Sequence, residues 1–95
     1  MAWGGRDNLQ ISRADVRVNG DRATIRISTT VNRPVEFMGA VRTSSAGFFE
    51  VDIDNSSEGA VVGLARVDYT NANRLDRIDL NGNVGSSRIR VDFRR

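Results

Sequence analysis

Apolar side chains fall at every second position along most of this chain, and that period is the strongest constraint on its fold. Ile89, Val91 and Phe93 alternate with Arg88, Arg90, Asp92 and Arg94. Ala23, Ile25, Ile27, Thr29 and Val31 alternate with Arg22, Thr24, Arg26, Ser28 and Thr30. Val35, Phe37, Gly39 and Val41 form a third row, and Phe49, Val51 and Ile53 a fourth. Successive side chains of a strand point to opposite faces, so a period of two lines one face with apolar groups and leaves the other to water. A helix needs apolar spacings of three and four, and no long stretch offers them.

The breaks between the rows read as turns. Asn19-Gly20 separates two alternating segments, a strong hairpin signal. Ser44 through Gly47 and Asn55 through Gly59 are loop-like clusters, and Asn81-Gly82 is expected to open a longer loop through Ser87. Pro34 suits a strand start or an edge, where its missing N–H costs nothing. Near the N-terminus the phase slips: Leu9 and Ile11 share one parity, Ala14, Val16 and Val18 the other. One extra residue around Arg13, a β-bulge, reconciles them, as would two separate short strands. Ala60 through Val67 is apolar on both parities, which predicts a strand that is central or covered on both sides. Leu75 and Ile78 stand three apart, the spacing of a single helical turn within Ala72–Ile78. Asp15 through Gly20 followed by Ile25-Arg26-Ile27 is faintly echoed by Asp79 through Gly82 followed by Ile89-Arg90-Val91, and hairpin geometry explains the echo without duplication.

These readings predict an all-β fold, a small antiparallel β-sandwich of about six to eight short strands joined by hairpin turns, with a small closed β-barrel as the alternative. A length of 95 residues fits a single domain, 1–95, opening with the Gly-rich segment 1–8. Chains of this size bury roughly 60–65% of the surface they would expose unfolded, and without cysteine no disulfide or thiolate metal site adds to the core. The longest apolar run, Gly59 through Ala65, is far below the ~20 residues of a membrane-spanning helix. Met1-Ala2-Trp3-Gly4-Gly5 lacks the basic start and apolar centre of a signal peptide, and nothing in the sequence selects a compartment.

Charge narrows the chemistry. Fourteen basic and twelve acidic residues leave a net charge of +2. The isoelectric point of 10.4 overstates this, because without His or Lys a small excess of Arg controls the upper titration range. All the basic residues are Arg, whose planar fork suits carboxylates and phosphates. Genome composition is the plainer account of that bias, and selection for bidentate contacts the functional one. The absence of His, Cys and Lys removes Ser-His triads, thiol nucleophiles, Schiff-base lysines and His-ligated zinc, so the sequence predicts no enzyme and no cofactor.

Binding remains. The preferred expectation is a non-catalytic binding or assembly module whose sheet face or edge strand docks another protein chain or its own copies. Trp3, in the Gly-rich start, is either a plug for the core or an exposed anchor; Met38, with Ala40, marks a mildly apolar outer patch. The alternative is an Arg-rich β-barrel holding nucleic acid or another polyanion through Arg22, Arg26, Arg88, Arg90 and Arg94, which form one patch only if their strands are neighbours. Stacking aromatics, the usual companions of such a patch, are scarce on the outward parity. A second alternative is a calcium-assisted carbohydrate or surface binder using Asp52, Asp54 and Glu58. The plainer reading of those acids is an outer strand face paired with Arg across the sheet.

Overall fold

Each alternating run becomes a strand. The computed structural model describes residues 10–30, 33–69 and 74–94 and the backbone of residues 2–3. The strands are β1 (Ala2–Trp3), β2 (Ile11–Asn19), β3 (Arg22–Thr29), β4 (Val35–Ser45), β5 (Phe48–Ser56), β6 (Val62–Tyr69), β7 (Leu75–Val84) and β8 (Ser87–Arg94). They form one antiparallel sheet in the order β1-β8-β7-β6-β5-β4-β3-β2, so β2 through β8 run up and down and β1 sits outside β8. Among the described residues no helix is long and apolar enough to cross a membrane.

Such a sheet has one apolar face and, among the described residues, no second layer to cover it, so it rolls into a half-barrel. Ile25, Phe37, Val51, Val67, Ile78 and Val91, from six different strands, are all 0% exposed and belong to one core cluster. Fully burying a side chain of this kind contributes roughly 1.5–3 kcal/mol, which gives the curl its driving force. Chain connectivity agrees: Trp3 lies on one edge and Gln10 leads into the other, and the intervening links reach at most about 25 Å. A flat eight-stranded sheet would separate those edges by about 34 Å.

Glycines and bulges make the bend possible. Gly39, Gly63 and Gly82 fall on the inward parity, and Gly63 pairs with Gly82 across β6 and β7. A Cβ at Gly39 would lie 1.9 Å from the Asp52 carbonyl oxygen, and one at Gly63 2.4 Å from that of Asn81. Backbones can approach this closely only where side chains are missing, as at a barrel corner. The register also slips at Ser12 in β2, Arg42 in β4, Asp54 in β5 and Asp76 in β7, each slip adding one residue to a strand. Bulges of this kind bend a strand and raise its local twist.

Several expectations are revised. The two layers of a sandwich are replaced by one rolled sheet, because both architectures demand the same period of two. Among the described residues the sheet does not close into a barrel either, since β2 and β1 remain separate edges. The bulge expected around Arg13 is present, between Ile11 and Arg13. Asn19-Gly20 marks the β2–β3 hairpin, whose turn residues are Gly20 and Asp21. Asn81-Gly82 does not open a loop: β7 continues to Val84 and turns at Gly85-Ser86, where Gly85 has φ 57°. Leu75 and Ile78 lie in strand, and the extra residue Asp76 lets both face inward. The helical-turn reading also included Ala72 and Asn73, which lie outside the described residues, as do Leu9 and Val31. The Ala60–Val67 run does enter a central strand, but its outward parity is uncovered, with Val62 76% exposed.

If Gly39 is a true corner, Gly39→Ala should cost more than about 2 kcal/mol by urea unfolding, as overpacking against backbone does. Gly85→Ala, which only strains a turn, should cost about 1 kcal/mol. Equal losses would show that close approach at Gly39 is not what shapes the sheet.

Candidate functional site

The rolled sheet leaves β2 as its exposed flank. Among the described residues its only strand neighbour is β3. Its inward row is incompletely covered: Ile11, Ala14 and Val16 are half-buried and Val18 is 50% exposed. The backbone adds to this. The two-residue turn closes on Asn19 and Arg22, a pair whose C=O and N–H face each other across the hairpin. Pairs in an antiparallel ladder alternate between bonded and non-bonded, so Ala14, Val16 and Val18 direct their N–H and C=O groups away from β3. One strand therefore presents together apolar side chains and peptide groups that no other described strand pairs.

The outer face beside this edge is polar. Arg13, Asp15 and Arg17 of β2, Thr24, Arg26 and Ser28 of β3, and Glu36 of β4 line an open depression of about 610 Å³ that also reaches Val16. Arg13 Nε lies 3.1 Å from Asp15 Oδ2. Arg26 stands in register between Asp15 and Glu36, and Arg17 is opposite Thr24. Neither Arg17 nor Arg26 has a carboxylate within 4.0 Å among the described residues.

The Arg rows do not merge. Arg22 and Arg26 on β3 are separated from Arg88, Arg90 and Arg94 on β8 by four strands, so the condition for a single basic patch fails. Arg94 lies 3.8 Å from Asp92, beside Arg77 with Asp79 and Arg66 with Asp68. Arg88 and Arg90 face Asn83 and Asn81, not acids, around a smaller depression of about 380 Å³ floored by Gly63 and Gly82.

The acidic strand is taken up by arginine. Arg22 reaches over the small side chain of Ala40 and donates from one nitrogen to both Asp54 oxygens, at 2.8 and 3.1 Å. That hydrogen bond, with the attraction of the carboxylate, raises the guanidinium further above its usual range. Asp52 faces Arg42 at 3.9 Å. Glu58 sits in the turn closed by Ser56 and Gly59, where its N–H donates to Ser56 Oγ at 3.1 Å. Among the described residues no three carboxylates are grouped to hold a metal ion, and Asp52, Asp54 and Glu58 are no exception. Met38 is half-buried on the outer face between Thr24 and Asn55, and the side chain of Trp3 lies outside the described residues.

Sequence reasoning did not single out Asp15, Val16, Arg17 and Val18, because edge position depends on strand order. The phase slip near Arg13 was the available signal, since bulges concentrate at edges. Comparison with known protein families, curated proteins and solved structures finds no match.

Aromatic packing joins β5 to β6. Phe49 and Tyr69 stack with ring centroids 5.7 Å apart, and the Arg66 guanidinium lies 4.1 Å from the Phe48 centroid. Burial disfavours the charged phenolate and raises the Tyr69 pKa above 10.0. Above the unfolded value the unfolded chain releases this proton more readily than the folded one, so stability should fall as pH rises from about 10. With one tyrosine and no lysine or cysteine, ultraviolet titration reports that group alone. The titration should shift downward on unfolding, and Tyr69→Phe should flatten the alkaline stability loss; coincident folded and unfolded titrations would contradict the burial argument.

Proposed function

We propose that this chain is a non-catalytic binding module that takes up another protein chain as an added strand along β2. The observation that carries the reading is the coincidence, on one strand, of outward peptide groups at Ala14, Val16 and Val18 with an apolar row that the rest of the fold leaves half covered. In strand addition, main-chain hydrogen bonds supply affinity and alternate side chains supply specificity. The incoming strand would extend the core with small apolar residues on one face. On the other it would place acceptors near Arg17 and Arg26, which lack carboxylate partners among the described residues. The charged outer row of β2 discourages indiscriminate pairing, as edge charges do in soluble sheets. The lack of His, Cys and Lys supports binding over catalysis.

Phage display of random nonapeptides against the folded domain tests this directly. Selected peptides should alternate apolar and polar residues, perturb the amide resonances of Ala14, Val16 and Val18, and lose binding at least about tenfold with Val16→Pro. That variant removes an outward N–H while leaving the β3 ladder intact. Peptides that map to another surface would overturn the reading.

A second reading draws on Arg88 and Arg90, which have no carboxylate within 4.0 Å among the described residues and meet Asn81 and Asn83 instead. Guanidinium and amide donors around one depression suit a phosphate or sulfate group. A labelled oligonucleotide should then bind at low salt, weaken steeply as salt rises, and weaken further with Arg90→Glu. No binding at 20 mM salt would end it.

A further inference from the structure

We propose that the strand added to β2 is β2 of a second copy, antiparallel and related by a two-fold axis through Val16. The proposal rests on β2 being a docking edge and names its occupant. The argument is one of register. In a two-fold antiparallel pair each side chain stays on its own face, so the axis residue fixes every opposition. An axis through Asp15 sets that carboxylate against itself and Arg13 against Arg17. An axis through Arg17 sets two guanidiniums together. An axis through Ala14 forces Ser12, the bulge residue, against Val16.

The axis through Val16 differs from all of these. Asp15 of each copy faces Arg17 of the other, Ala14 faces Val18, and Val16 meets its own counterpart. Opposite charges thus meet on the outer face and apolar groups meet on the inner one. Directly opposed unlike charges favour strand pairing and like charges oppose it. The backbone selects the same residues, because Ala14, Val16 and Val18 are those whose N–H and C=O leave the sheet. In this register each of them donates to and accepts from the second copy. Val18, 50% exposed in the single chain, is covered by the partner strand. Arg17, without a carboxylate partner among the described residues, gains one, and Asp15 is shared between that arginine and Arg13 at 3.1 Å. The two half-barrels then share one continuous sheet. A contact of one short strand is small, so a dissociation constant on the order of micromolar or weaker is expected.

Sedimentation equilibrium across a wide concentration range tests the dimer, and charge exchange tests the register. The parent chain should pass from 10.5 kDa to twice that mass. Arg17→Asp and Asp15→Arg should each weaken association at least about tenfold, since each places like charges opposite. An equimolar mixture of the two variants should recover it, because one copy then carries two carboxylates and the other two guanidiniums. Asp15→Arg sets a cation opposite Arg26, so circular dichroism must confirm folding; if it unfolds, Val16→Pro replaces it and should be monomeric. A parent chain that stays monomeric throughout overturns self-pairing, and selected peptides that still reach β2 would leave the docking edge standing. Dimerisation that ignores both charge variants, or a folded mixture that fails to associate, overturns the register.

Discussion

A single sheet with one apolar face must bury that face against itself, and the rest of this structure follows from that constraint. Nothing among the described residues lies over the concave side, so Ile25, Val51 and Val91 reach zero exposure only because the sheet rolls. A uniform pleat resists such curvature. The chain admits it by removing side chains where backbones converge, at Gly39 and at the Gly63–Gly82 pair, and by adding residues where strands must bend, at Ser12, Arg42, Asp54 and Asp76. The roll also has a consequence at its margins. An unclosed curl leaves two edges, and β8 is partly shielded by β1 while β2 has no second strand beside it among the described residues.

The outer face follows a different logic. Its charges are interleaved, and among the described residues six arginines lie within 4.0 Å of a carboxylate: Arg66 with Asp68, Arg77 with Asp79 and Asp92, Arg94 with Asp92, Arg22 with Asp54, Arg42 with Asp52 and Arg13 with Asp15. These groups are partly solvated, and surface pairs of this kind add little to stability. Their effect is local neutrality, which makes the high isoelectric point a poor guide to partners. Among the described residues Arg17, Arg26, Arg33, Arg88 and Arg90 have no carboxylate within 4.0 Å, and all of them but Arg33 lie on the flanking strands β2, β3 and β8.

Much of this was legible in the sequence, and the part that was not has a common cause. The alternating rows, the bulge near Arg13 and the Asn19-Gly20 hairpin are local features, set by side-chain direction and turn geometry. Whether the rows face a second sheet or their own continuation is not local, since both cases require the same period. The two Asn-Gly pairs show the limit. Asn19-Gly20 leads into a turn, whereas Gly82 sits in mid-strand because Gly63 lies opposite and leaves no room for a side chain. Only the strand order distinguishes them. Leu75 and Ile78 mimic a helical spacing for a similar reason, the intervening bulge at Asp76 having shifted the phase. The candidate site was the least visible part, because an edge is defined by its missing neighbour.

The bulge at Ser12 links these levels. An edge strand with regular pairing over its whole length would accept another strand in several registers, each displaced by two residues. Here the slip between Ile11 and Arg13 interrupts the ladder and leaves a regular stretch from Arg13 to Asn19. Within it, the outward groups belong to Ala14, Val16 and Val18, while Arg13, Asp15 and Arg17 form an ordered charge pattern beside them. Shortening the usable edge and writing alternate charges along it act in the same direction, since both reduce the number of partners and registers that fit. Edge charges and bulges of this kind disfavour indiscriminate pairing of a half-open sheet, and they would make the strand addition proposed at β2 selective.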